Sequence, residues 1–232
     1  FQQTISALIE RVQNAQASEV RCVEVLTQKP SFAFIEWLHA QPLFPKFYWQ
    51  SRDTREEVVA LGQLHTFSDP APAYAILGED QRIWGGRSFD GHTEKNRRCM
   101  ESFFFLPQIE LIRFDDTWSL AVNLSSDRVA STNALNKLSV DAEILAPLSA
   151  HIEQINHVPE REQWGGLVEK VLKGISDEEY KKVVLARKTT LKLDAPICAA
   201  QLLKASYLQN HHSFHFMLVL DSKHSFIGST PE

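Results

Sequence analysis

The stretch Lys181-Lys182-Val183-Val184-Leu185-Ala186-Arg187-Lys188 decides how this sequence is read, together with Phe226-Ile227-Gly228-Ser229-Thr230-Pro231-Glu232 at its end. The first is a β-branched run entered through a lysine, and a strand is expected over 182–193. Side chains alternate along a strand, which places Lys182, Val184, Ala186, Lys188 and Thr190 on one face. Val184 and the small Ala186 would then form a pocket wall beside Lys182. A lysine works as a general base only where desolvation disfavours its charged form. The same pattern also fits a solvated lysine at a strand entrance, the commoner outcome for this residue type. Arg187 falls on the other face with Leu185 and Leu191, where a structural ion pair is expected of it.

The second stretch reads as an apolar strand closing in a Gly-Ser-Thr-Pro turn. Gly228 permits backbone conformations closed to other residues, and Pro231 fixes its own φ and restricts Thr230. Glu232 would therefore project from a stiff turn. A carboxyl group that must donate a proton needs an apolar, closed pocket, and an ordinary loop glutamate fits the pattern as well. Between the two stretches the sequence predicts a helix over 199–207 and strands over 214–220 and 225–227 flanking the turn Asp221-Ser222-Lys223-His224. A helix and a hairpin leave room for both ends to meet at one pocket.

Further upstream, Ile5, Leu8, Ile9 and Val12 form the stripe of an amphipathic helix. Strands are expected over 20–26, 47–50, 57–67, 103–105, 110–115 and 117–124, and a short helix over 34–40. The polar link 51–56 predicts a hairpin, with a bulge at Gly62. Residues 131–155 carry spaced apolar positions and predict one long helix, or two with a break near Pro147. A helix over 162–173 should end at Gly174, with Ser176-Asp177-Glu178-Glu179 as a capping box. Antiparallel-looking strands grouped between helices favour an α+β fold, read as a single domain over residues 1–232. The sequence stops at Glu232 directly after a strand signal, and is read as the first part of a longer chain.

Composition narrows the function classes. At 232 residues, 44% hydrophobic and 23% charged, the chain is that of a water-exposed globular protein with a substantial core. A net charge of −5 argues against a general nucleic-acid binder, and the pairs Arg97-Arg98 and Lys181-Lys182 are too small for such a footprint. No apolar run reaches the roughly 20 residues that span a bilayer. Cys22, Cys99 and Cys198 lie far apart without CxxC spacing, against both a disulfide framework and a zinc site, and a reducing cytoplasm is the simplest compartment. His211, His212 and His215 have no carboxylate set beside them and are read as exposed or hydrogen-bonded. Gly85-Gly86 lacks the spacing and lysine of a phosphate loop and is read as a bulge or tight turn.

The two opening stretches resemble signature blocks of the chorismate-utilising enzymes. Further similar blocks occur in the family's order: Phe47-Tyr48-Trp49-Gln50-Ser51-Arg52, Ala60-Leu61-Gly62, Gly85-Gly86-Arg87-Ser88-Phe89-Asp90 and Phe105-Leu106-Pro107. The resemblance implies an α+β fold of stacked, mainly antiparallel sheets flanked by helices, with chorismate as substrate. It implies Mg²⁺ as cofactor, held by glutamates beyond residue 232, so no metal ligand is assigned within these residues. Members that add water carry a lysine where Lys182 stands, whereas ammonia-using members differ there and need a glutaminase partner, which is not expected here. Glu232 matches the family's general acid. Lys182 as base for water at C2 and Glu232 as acid for the departing C4 hydroxyl would make isochorismate, an isomerase reaction, with the menaquinone pathway first and siderophore-pathway or salicylate-forming members as alternatives. Outside enzymes, a non-catalytic α+β binding protein remains the alternative.

Overall fold

The computed structural model describes residues 1–89 and 102–232, and Asp90, the Arg97-Arg98 pair and Cys99 lie outside them. The chain divides into two compact units, Phe1–Pro147 with Cys198–Glu232, and Leu148–Ile197.

The first unit is built on one antiparallel sheet. Its strands are β1 (Arg21–Val25), β2 (Lys46–Gln50), β3 (Glu56–Phe67), β4 (Trp84–Arg87), β5 (Ser102–Phe114), β6 (Thr117–Asn123), β9 (Phe214–Val219) and β10 (Ser225–Thr230). The spatial order is β1-β6-β5-β3-β2-β9-β10, with β4 added alongside β5. Helices α1 (Gln2–Asn14), α2 (Phe34–Ala40), α4 (Arg128–Asn136) and α6 (Ala199–Gln209) complete the unit, with the single turn α3 (Ala71–Tyr74). The second unit holds β7 (Ile152–Val158), α5 (Arg161–Ser176) and β8 (Lys188–Leu193).

Period-2 alternation assigns the two faces of the sheet. Tyr48, Val59, Leu61, Ile109, Leu111, Leu120, Val122 and Met217 join the large core with Leu8 of α1, Trp37 of α2, Leu135 of α4 and Leu203 of α6. Their neighbours Phe47, Ala60 and Phe105 form a smaller aromatic cluster with Trp49, Trp84 and Phe216. Burying each large apolar side chain stabilises the fold by about 1.5–3 kcal/mol before chain entropy is counted. The bulge expected at Gly62 is present. Its φ is +66°, its N–H donates to the Pro45 carbonyl at 2.9 Å, and the β3/β5 register slips between Gln63 and His65. The slip falls opposite Pro107, which has no N–H to give the ladder. The expected strands at 103–105 and 110–115 are thus one continuous β5 that passes through this proline.

Other expectations are corrected. The helix predicted over 131–155 is only α4, begun by Asp127, whose carboxylate accepts from the N–H groups of Val129 and Ala130. Beyond it the chain is irregular, because Trp37 Nε1 and Gln41 Nε2 capture the Ser139 carbonyl while Leu138 and Leu145 bury themselves individually. Residues 152–158 form β7. Helix α5 passes through Gly174, where the Tyr180 ring packs so closely that a Cβ would lie 2.3 Å from its hydroxyl. The left-handed residue after this helix is Glu178 (φ +58°), and the capping box is Glu160 with Gln163 rather than Ser176 with Glu179. Gly85 and Gly86 lie within β4, paired with Phe104 and Phe103, rather than in a tight turn.

Candidate functional site

The strand expected from Lys182 begins only at Lys188. Its partner β7 ends at Val158, opposite Lys188, where Pro159 turns the chain toward α5, so residues 181–187 find no ladder within this unit. Lys182 is exposed in that irregular segment, and the alternating faces expected for 182–186 do not form. Arg187 is exposed rather than buried, so desolvation makes no demand for the ion pair expected of it.

The other end is more regular than expected. Strand β10 runs through Thr230, so Gly228, Ser229 and Thr230 belong to the ladder with β9 instead of a turn. Asp221 closes the hairpin: its carboxylate accepts from the N–H groups of Lys223 at 2.7 Å and His224 at 2.9 Å, and the first of these chiefly holds it below the usual carboxylate range. Gly228 faces Phe216, and a Cβ there would lie 2.3 Å from the ring's Cζ. The next residue anchors the strand laterally. Ser229 Oγ lies 2.8 Å from His215 Nδ1 and 2.8 Å from Ser206 Oγ of α6. His215 is buried, and desolvation holds its imidazole below its ordinary pKa, favouring the neutral ring.

Glu232 follows as an exposed residue whose N–H donates to Thr230 Oγ1 at 3.3 Å. Its neighbour is held from across the sheet by Arg52 Nη1, which donates to the Pro231 carbonyl at 3.0 Å, with the guanidinium over the Phe214 ring. Sequence reasoning gave Arg52, Ser206 and Ser229 no role. Arg52 stood in a quoted block, and only the fold reveals that it reaches Pro231. His215, read as exposed or hydrogen-bonded, is the latter.

A cavity of about 690 Å³ opens on the helix side of the sheet, among Tyr48, Gln50, Glu57, Arg113, Tyr207 and His215. Glu57 binds the Tyr48 hydroxyl at 2.7 Å and Arg113 Nε at 3.2 Å, so its carboxylate is committed to neighbours. Burial and Glu57 together push the Tyr48 phenol well above its ordinary pKa. Glu232 does not line this cavity. Among the described residues no group of three His, Cys, Asp or Glu side chains is placed to hold a metal ion, and no described helix is long and apolar enough to cross a membrane. The described residues alone therefore supply no three-ligand set for Mg²⁺.

Residues 72–232 match the chorismate binding enzyme family, and the chain belongs to it. Within that family it is similar to isochorismate synthase MenF of Escherichia coli strain K12, 32% identical over 214 residues, or 88% of this chain and 48% of that protein. Isochorismate synthase MenF of Pasteurella multocida is 29% identical over 87% of this chain and 46% of its own. The solved structure of the menaquinone-specific isochorismate synthase MenF from Escherichia coli superposes with a TM-score of 0.85 at 28% identity, covering 100% of this chain and 55% of that one. The α+β architecture of antiparallel sheets and helices is thus the family's own. The chain spans about half the length of the curated relatives it matches.

Proposed function

We propose that this chain carries the acid–base residues of an isochorismate synthase, converting chorismate to isochorismate for menaquinone synthesis. The reading rests on one observation above others: likeness to isochorismate synthases of the MenF type runs through nearly the whole chain, in sequence and in fold. Lys182 and Glu232 take the roles that the family resemblance assigns them. Lys182 accepts a proton from the water that attacks C2 of the ring. Glu232 gives a proton to the hydroxyl leaving C4. The nucleophile is water rather than ammonia, so no glutaminase partner enters the reaction.

The two compact units are read as parts of one chorismate-binding domain. Mg²⁺ is read as the family's cofactor, with its ligands expected beyond residue 232, and no step here is routed through it. The reducing cytoplasm is read as its compartment, and Cys22 and Cys198 are in no disulfide among the described residues. Chromatography of products after incubation with chorismate and Mg²⁺ tests the reading. Isochorismate alone supports it. Salicylate with pyruvate, or an amino product formed only with ammonia, contradicts it.

A further inference from the structure

Cys198, His39 and Glu143 form a chain of side chains that the proposed reaction does not use. Cys198 is the N-cap residue of α6, yet its side chain makes no capping bond, and its Sγ lies 3.5 Å from His39 Nδ1. His39 stands in the last turn of α2, and its Nε2 lies 3.6 Å from a Glu143 carboxylate oxygen. The backbone beneath both is fixed. Buried Lys46 donates through Nζ to the carbonyls of Leu38 at 3.1 Å and His39 at 3.0 Å, and the Glu143 N–H donates to the Glu36 carbonyl at 3.4 Å.

We propose that Cys198 is a nucleophilic thiol and a site of oxidation by peroxide, with His39 as its base and Glu143 orienting the imidazole. At 3.6 Å the Glu143 carboxylate lies within ion-pair reach of Nε2, and its negative charge favours the proton there, which leaves Nδ1 to accept from the thiol. That is the nucleophile–base–orienter order of an activated thiol. Cys198 and His39 are partly exposed, within reach of a small uncharged oxidant. Cys22 supplies the contrast: it is 1% exposed, faces Glu19, and burial pushes its thiol up.

The step balances with hydrogen peroxide as co-reactant. Sulfur attacks one peroxide oxygen, the S–O bond forms and the O–O bond breaks. The thiol proton passes to His39 Nδ1 and on to the departing oxygen, which leaves as water. Sulfur loses two electrons, the peroxide gains them, and Cys198 becomes a sulfenic acid.

The test treats the intact protein with hydrogen peroxide and a sulfenic-acid trap, and reads each cysteine by peptide mass spectrometry. Cys198 is expected to be trapped at least about tenfold faster in the folded protein than in urea at the same pH, and Cys22 more slowly than in urea. His39→Asn should bring Cys198 down to the unfolded rate, and the exposed Glu143→Gln should lower it in part. Equal folded and unfolded rates at Cys198 overturn the proposal, as does a folded His39→Asn protein that reacts at the original rate. If His39→Asn does not fold, the wild-type comparison and Glu143→Gln decide.

Discussion

Arg52 and Pro231, 179 residues apart in sequence, are joined by a hydrogen bond of 3.0 Å from the guanidinium to the carbonyl that precedes Glu232. The turn after β2 thereby steadies the residue before the proposed acid. Arg52→Ala removes that tie at an exposed position, where stability should change by less than about 0.5 kcal/mol. Isochorismate formation should nevertheless slow about tenfold in kcat, with KM nearly unchanged, because small displacements of a reacting group are costly. Arg52→Lys should restore little, since a flexible ammonium does not reproduce the planar fork. Steady-state kinetics beside thermal melts check both.

Arg21 and Glu110 form the most deeply buried ion pair described here, 2.6 Å apart with side chains 7% and 0% exposed. Trp84 Nε1 adds a bond of 2.9 Å to the same carboxylate. Arg21→Met should cost about 3 kcal/mol in urea unfolding, because it leaves the buried Glu110 carboxylate with only the longer 3.9 Å contact to Arg82 as a cationic partner. Pairing it with Glu110→Leu should recover much of that loss. Truncating Arg55 of the exposed Arg55–Asp115 pair, at 2.8 Å, should leave the urea midpoint nearly unchanged, because solvent screens both charges.

Lys46 carries a pH signature. Burial lowers its pKa from the ordinary 10.5 to about 8, partly offset by neighbouring Cys198. Between those values the unfolded chain binds more protons than the folded one, so stability should rise with pH from about 8 toward 10.5. Lys46→Met should remove that rise. Urea midpoints taken at intervals across the window, for both proteins, give the comparison.

Much of the sheet was legible because its strands are runs of β-branched and aromatic residues bounded by turn signals. The alternation of Tyr48 against Phe47, and of Val59 and Leu61 against Ala60, separates the two clusters that the structure contains. Gly62 announced its bulge because left-handed backbone is open to glycine at little cost. The failures came where apolar spacing had another cause. Leu138 and Leu145 are buried one at a time along an irregular chain held by Trp37 and Gln41, a long-range arrangement that mimics helical periodicity. The run Val183-Val184-Leu185 has strand composition, yet strand formation needs a partner, and β7 has ended by Val158. At the candidate site, Lys182 and Glu232 were legible through family blocks, whereas the ties from Arg52, Ser206 and His215 depend on strand order and could not be read from spacing.

The central claim is that Lys182 is the base for water. Its most direct measurement is the rate of isochorismate formation by Lys182→Ala, followed by chromatography alongside a thermal melt. The side chain is exposed and outside any strand, so the melting temperature should stay within about 2 °C of the original. Turnover should fall by about a hundredfold or more. Isochorismate formed at the original rate by a folded Lys182→Ala protein would contradict the account.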